Sequence, residues 1–271
     1  MPRLAVIGQP ISHSRSPAMH AAALAEMGLA GKWTYEAIEI SPDGFKELVR
    51  SLPGEGFAGV NVTVPHKLAA LAVADSGSEA AQQIGAANTL SFADGRIRAD
   101  NTDATAIVEA LPSPPTGKKA LILGAGGSAR AAVWALKEAG ASVNVWNRTL
   151  QKAELLAAEL DVGLDTDGPQ IIINATTVGL DTANEVAPLT GSAGPDLKAL
   201  SVLTDGFRAE VVMDLVYGSH ETELISAARA AGAAVVGGLE VLVRQGAASL
   251  RIWTGADPPL EVMRRAAQGE T

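Results

Sequence analysis

The run Lys118-Lys-Ala-Leu-Ile-Leu-Gly124-Ala125-Gly126-Gly127-Ser128-Ala129 sets an apolar strand directly before a glycine loop and a helix-forming segment. That order predicts a strand-turn-helix unit of a parallel sheet, because a buried parallel strand is continuously apolar and its connection must return over a face of the sheet. The same alternation recurs on both sides. Upstream, the pattern predicts strands at Leu4–Ile7, Thr34–Ile40 and Val60–Val64, with helices at Pro17–Met27, Phe45–Leu52 and Leu68–Ala74. Asn88–Phe92 and Arg96–Ala99 flank Ala-Asp-Gly and read as a hairpin. Downstream, strands are expected at Ala120–Leu123, Val143–Trp146, Ile171–Asn174, Val211–Leu215 and Ala234–Val236, with helices at Gly127–Ala139, Gln151–Leu160 and Leu239–Trp253.

This pattern predicts an α/β fold of two domains. The first is a mostly parallel α/β domain over 1–103 and the second a Rossmann-type domain over 104–236. The helices of 237–271 return to the first domain. A helix from Asp103 to Leu111 and the segment Pro112-Ser-Pro-Pro-Thr-Gly117 mark the junction. With 271 residues there is enough chain for two cores.

The glycine loop carries the chemistry of the second half. Its pattern is G-x-G-x-x-A, in which Gly124 allows the tight turn and Gly126 lets the backbone approach a pyrophosphate. Ala129 permits close packing of helix on strand, and the helix N-terminus favours an anion. A bare glycine-rich turn without a ligand is the alternative. The next strand ends in Asn147-Arg148-Thr149 instead of an acidic residue. A guanidinium suits a ribose 2′-phosphate, whereas a carboxylate would suit a free ribose diol, so the cofactor expected is NADP rather than NAD.

In the first half, Asn61-Val-Thr63-Val-Pro65-His-Lys67 reads as an alternating strand stopped by Pro65, which has no N–H to donate. It delivers Lys67 to a helix N-terminus, the end that cations do not favour. A lysine whose neutral form is favoured by partial burial can exchange a proton with an alcohol as hydride moves. Asp103, in Asn101-Thr102-Asp103, could accept a hydrogen bond from the same hydroxyl. Each residue also has an ordinary reading. Lys67 fits a solvated loop, Arg148 an exposed surface, and Asp103, Ser14 and Ser16 the capping of helices. Asn88 fits a turn, and Tyr217 and Gln245 fit solvent-facing or core positions.

Composition narrows the function classes. There are no cysteines, so disulfides, thiol nucleophiles and thiolate metal sites are excluded. His13, His20, His66 and His220 show no ligand spacing, and no metal is expected. Of these, His13, His66 and His220 read as structural or supporting groups. A net charge of −9 argues against nucleic acid. Anionic ligands must then rely on local donors, which outweigh the global charge because screening acts over roughly 8 Å. The apolar run before Gly8 is too short for a signal sequence and no stretch reaches the length of a membrane span. A cytoplasmic protein without a membrane partner is therefore expected; the sequence leaves monomer and homodimer equally open.

Taken together these motifs resemble the shikimate dehydrogenase family. Gly8-Gln-Pro-Ile-Ser-His13-Ser14-Arg-Ser16-Pro17-Ala-Met-His20 looks like its opening segment. The resemblance implies that Ser14 and Ser16 bind the substrate carboxylate. Thr63, Lys67, Asn88 and Asp103 would meet the ring hydroxyls, with Lys67 and Asp103 as the catalytic pair. Gly124 to Ala129 and Asn147, Arg148 and Thr149 look like its NADP segments. Asn174-Ala-Thr176-Thr-Val-Gly179 and Asp214-Leu-Val-Tyr217 resemble later stretches that bring Thr176 to the cofactor and Tyr217 to the substrate. Gly238-Leu-Glu-Val-Leu-Val-Arg-Gln245 resembles the helix that offers Gly238 to the cofactor and Gln245 to the substrate.

The implied reaction is reversible reduction of 3-dehydroshikimate to shikimate by NADPH in aromatic amino-acid biosynthesis. Alternatives are a quinate or aminoshikimate dehydrogenase of the same superfamily and a non-catalytic sensor of NADP and a shikimate-like acid. Three positions depart from the family's habit: Ala21 where Asn is frequent, Ser219 where Pro is common, and Val241 where Met is common near the nicotinamide pocket.

Overall fold

The computed structural model describes residues 1–178, 208–218 and 221–270. The chain divides into two compact units, one of Met1–Ala106 with Leu242–Thr271 and the other of Ile107–Val241.

The first unit contains β1 (Arg3–Gly8), α1 (Ser16–Glu26), β2 (Thr34–Glu39), α2 (Phe45–Ser51), β3 (Phe57–Val62) and α3 (Lys67–Val73). It continues through β4 (Ser76–Gly77), α4 (Glu79–Ile84), β5 (Thr89–Ala93), β6 (Arg96–Asp100) and the start of α5 (Asp103–Ala110). Its sheet has the order β2-β1-β3-β5-β6-β4. β1 pairs in parallel with β2 and β3, whereas β5 is antiparallel to both β3 and β6. The antiparallel part is the expected hairpin. Asp94 and Gly95 both take positive φ at its turn, the backbone twist that joins two strands tightly.

Val60, Val62, Ala5, Ile7 and Leu90 pack with Phe45, Val49 and Leu52 of the α2 side into one core. The strand expected at Val60–Val64 is in fact Phe57–Val62. Past Val62 the pairing is irregular: the Thr63 N–H still donates to the Ile7 carbonyl at 3.0 Å and the Val64 carbonyl accepts the Gln9 N–H at 2.9 Å, while the His66 N–H donates to the Thr63 carbonyl at 2.9 Å and turns the chain around Pro65. Val64 is left exposed, so the apolar face predicted for it ends at Val62.

The second unit contains β7 (Lys119–Leu123), α6 (Gly127–Glu138), β8 (Ser142–Trp146), α7 (Leu150–Leu160), β9 (Ile171–Asn174), β10 (Val211–Asp214), α8 (Glu223–Ala230) and β11 (Ala234–Gly237). All its strand pairs are parallel, in the order β11-β10-β9-β7-β8. Both faces of such a sheet must be covered, and Leu121, Leu123, Ile172 and Val212 are accordingly buried. α9 (Gly238–Thr254) then carries the chain into the first unit, where α10 (Leu260–Gln268) packs against α1. Gly179, Ser219 and His220 lie outside the described residues.

Candidate active site

In the first unit, four of the sequence candidates meet through hydrogen bonds. Lys67 opens α3 and Asp103 opens α5, so two helix starts face one another. The Lys67 Nζ donates to Asp103 Oδ2 at 2.6 Å. Both side chains are about nine-tenths buried, at 12% and 9% exposure, which removes most of the solvent screening from the pair.

Asp103 does not cap its helix. Asn101 does so instead, its Oδ1 accepting the Ala104 N–H at 3.3 Å while its Nδ2 holds the Ala86 carbonyl. Both Asp103 oxygens therefore face side chains. Oδ1 accepts from Asn88 Nδ2 at 2.9 Å, and the same Nδ2 lies 3.1 Å from Gln245 Oε1 on α9. The orientation of the Asn88 amide follows from one obligatory donor: the Thr102 backbone N–H reaches Asn88 Oδ1 at 2.7 Å. Gln245 is oriented in turn by donating its Nε2 to the Leu242 carbonyl at 2.8 Å.

Behind these residues lies a buried polar layer that the sequence reading passed over. Asn61 sits in the apolar strand β3, accepts from Tyr35 at 2.8 Å and donates to Ser249 Oγ at 2.7 Å. Thr89, Thr102 and Ser249 complete it. Two signals pointed to this layer. An asparagine inside a valine run must find partners if buried, and Ser249 stands one helical turn from Gln245 on the same face.

Ser14, Ser16 and Thr63 belong to the same unit and stand outside that hydrogen-bonded set. Ser16 is buried at the start of α1, and Ser14 Oγ accepts the Ser16 N–H at 3.3 Å in a local turn; the N-cap position of α1 is Arg15, which has no side-chain cap, so neither serine caps the helix. His20 follows one turn later. It is fully buried, stacks on Tyr35 with centroids 3.9 Å apart, and bonds the Ser16 carbonyl through Nδ1 at 2.9 Å. Its Nε2 faces the Gly246 backbone without a hydrogen bond of ordinary geometry. Burial pushes its pKa down to about 4, partly offset by the Ser16 carbonyl, so the ring is neutral. His66 is buried too, its Nε2 on the Ile40 carbonyl at 2.8 Å and its ring stacked on Phe45.

The second unit offers backbone where the first offers side chains. Gly124 has φ +118°, and a Cβ there would lie 2.9 Å from the Ala175 carbonyl oxygen, so only glycine fits. Around Gly126, its own chain neighbours aside, no atom of the described residues lies within 4 Å of where a Cβ would stand. Packing does not require glycine at 126, and the open space leaves room for a ligand to approach the backbone. Gly127, Ser128 and Ala129 form the first turn of α6, and Ala129 is buried against the sheet.

β8 ends at Trp146, beyond which Asn147 Nδ2 donates to the Thr149 carbonyl and Arg148 is exposed. Asn147, Arg148 and Thr149 supply no carboxylate at this strand end, and the start of α6, which has no side-chain cap, suits a phosphate, so the residues present fit NADP.

Thr176 donates to Asn174 Oδ1 at 2.7 Å, and Asn174 donates to the buried Asp214 at 2.9 Å. Asp214 also accepts from the Val216 N–H and from Thr222 at 2.6 Å. Burial raises the Asp214 pKa and these three hydrogen bonds oppose the rise. Gly238 is fixed by packing, since a Cβ would meet the Leu215 carbonyl oxygen at 2.6 Å. Val241 is buried, and Tyr217 is half-buried in this unit.

Three family models match the chain in succession. The shikimate dehydrogenase substrate binding domain covers residues 6–90. Shikimate / quinate 5-dehydrogenase covers 107–167, and the shikimate 5′-dehydrogenase C-terminal domain covers 238–268. The chain is 39% identical to the shikimate dehydrogenase (NADP(+)) of Methanothermobacter thermautotrophicus, over 96% of this chain and 94% of that protein. It is 42% identical to the protein of the same name from Thermus thermophilus, over 99% and 98% of the two chains. The crystal structure of a Thermus thermophilus shikimate 5-dehydrogenase in complex with NADP(H) and shikimate is similar with a TM-score of 0.84, at 39% identity over 99% of each chain. Collinear motifs, the paired βα units and these similarities agree: the chain belongs to the shikimate dehydrogenase family.

Proposed function

We propose that this protein reversibly reduces 3-dehydroshikimate to shikimate with NADPH, in the cytoplasm and in service of aromatic amino-acid biosynthesis. The observation that carries the reading is the buried Lys67–Asp103 pair, held by Asn88, whose amide also reaches Gln245. A carboxylate and an ammonium group kept this close and this dry can pass a proton to or from one hydroxyl oxygen without reorganising solvent. Met1–Ala106 with the returning Leu242–Thr271 forms the substrate half, and Ile107–Val241 the cofactor half.

Lys67, as ammonium, donates a proton to the carbonyl oxygen under reduction and takes it back in the reverse direction. Asp103 holds Lys67 and the hydroxyl in register. Ser14, Ser16 and Tyr217 receive the carboxylate, whose burial without donors would be costly. Thr63, Asn88 and Gln245 position the ring hydroxyls. NADPH supplies the hydride when bound, held by the Gly124–Ala129 backbone, Thr176 and Gly238. Asn147, Arg148 and Thr149 take the 2′-phosphate.

The test follows oxidation of NADPH and NADH with 3-dehydroshikimate and 3-dehydroquinate side by side. Fast turnover is expected only with NADPH and 3-dehydroshikimate. Preference for 3-dehydroquinate would move the chain to the quinate branch. Binding without any oxidation would make it a sensor.

A further inference from the structure

Ser249 is fully buried on α9, one turn beyond Gln245, and four polar groups lie within hydrogen-bond distance of its hydroxyl. These are Asn61 Nδ2 at 2.7 Å, Thr89 Oγ1 at 2.9 Å, Thr102 Oγ1 at 3.2 Å and the Gln245 carbonyl at 2.9 Å. A serine that only returned its proton to the carbonyl one turn back would need none of the other three.

Asn61 Nδ2 reaches the Ser249 and Thr89 oxygens and Asn88 Nδ2 reaches Thr102 Oγ1, but the remaining contacts, which need a hydroxyl proton, outnumber the hydroxyl protons. Ser249, Thr89 and Thr102 have one hydroxyl proton each, shared among the contacts of Ser249 with the Gln245 carbonyl, Thr89 and Thr102, and of the two threonines with each other and with Asn88 Oδ1. The direction of each hydroxyl thus depends on the other two. Asn88 Oδ1 is the acceptor at the far end of this set, and Asn88 Nδ2 has three acceptors for its two protons, Thr102 Oγ1 and Asp103 Oδ1 at 2.9 Å each and Gln245 Oε1 at 3.1 Å.

We propose that Ser249 is a positioning residue for substrate recognition, acting on Asn88 through the Thr89 and Thr102 hydroxyls. The inference rests on the functional reading above for its substrate. With the Ser249 hydroxyl gone, both threonine hydroxyls keep Asn88 Oδ1 as a near acceptor. The amide is drawn toward them and away from Asp103 and Gln245. Gly246, three residues before Ser249, keeps α9 close to α1, since a Cβ there would press on His20 Cε1 at 3.1 Å. The backbone that presents Ser249 is therefore held independently of its hydroxyl.

The experiment uses the full chain carrying Ser249→Ala, with two readouts. In steady-state kinetics KM for shikimate should rise about tenfold, the loss expected for one misplaced hydrogen bond, with kcat and KM for NADP+ changed less than about threefold. In side-chain amide NMR the Asn88 Nδ2 resonances should shift and their protons exchange faster, while the backbone signals of Gly124–Ser128 stay in place. A merely structural serine would lower the melting temperature without moving KM for shikimate. An unchanged KM in folded protein, or unmoved Asn88 resonances, overturns the proposal. Should Ser249→Ala not fold, Ser249→Cys, which nearly keeps the volume and weakens the hydrogen bonds, decides by the same readouts. A wild-type protein that does not oxidise shikimate would overturn the functional reading instead, and the NMR readout alone would then judge Ser249.

Discussion

The two units prepare for ligands in opposite ways. In the first, the candidate groups are side chains that are buried and hydrogen-bonded to one another: Lys67 to Asp103, Asp103 to Asn88, Asn88 to Gln245. In the second, the candidate groups are a glycine backbone at Gly124 to Gly127 and an exposed Arg148 beyond β8. A reacting centre needs fixed direction, which buried networks provide because each member constrains the next. A phosphate is recognised by charge and by N–H groups, for which backbone suffices. Replacing one side chain should therefore do much damage in the first unit and modest damage in the second.

The largest effect tests that contrast at its centre. Lys67→Ala should lower kcat by roughly 10²- to 10⁴-fold, the range for a positioned acid or base, with NADPH affinity nearly unchanged by fluorescence titration. Near-normal turnover would end the assignment of Lys67 and put the chemistry elsewhere.

The next effect concerns the stability of the first unit. His20 has a folded pKa of about 4 against an ordinary 6.5. The unfolded chain binds the proton more readily, so the stabilising contribution is full above the unfolded value and is lost as pH falls toward about 4. Between about pH 7.5 and about pH 5 this linkage should cost about 2 kcal/mol, measurable by urea denaturation. In His20→Gln that share of the pH dependence should be missing; an unchanged slope would assign the acid sensitivity to other groups.

In the second unit, Arg148→Ala should weaken NADP(H) by about tenfold, near 1.5 kcal/mol for a charge-assisted hydrogen bond, and leave NAD(H) almost untouched. Equal weakening of both cofactors would remove the reason for choosing a 2′-phosphate.

The smallest effects separate fold from ligand within one loop. Gly124→Ala should destabilise the protein by about 1 kcal/mol or more, because φ there is positive and the Ala175 carbonyl is close. Gly126→Ala should leave the melting temperature in place and reduce NADPH binding. The reverse outcome, a stability loss at 126, would mean that this glycine serves the fold.

Local patterns carried most of the secondary structure. Strand Ile171–Asn174 and the turn at Asp94–Gly95 depend on neighbours in sequence, and the structure has them where the pattern put them. Errors fell where a turn overrode a pattern. Val60 to Val64 alternates as a strand should, but the regular register ends at Val62, and Thr63 and Val64 keep only irregular hydrogen bonds to β1 as the Thr63–His66 turn begins. Asp103 had a local reading as a helix cap, and Asn101 two residues earlier takes that task.

The sequence by itself determined the alternation of strands and helices, the glycine loop, the absence of an acidic residue after β8, and hence the family. All of these are written in residues a few positions apart, where periodicity and backbone preference act. Only the tertiary structure decided that Asn61, Asn88, Thr102 and Ser249 form one buried polar layer behind Lys67 and Asp103. Their partners lie as far as 188 residues apart, and no local preference specifies which hydroxyl meets which amide. That choice is made when the apolar faces close and every buried donor must find an acceptor.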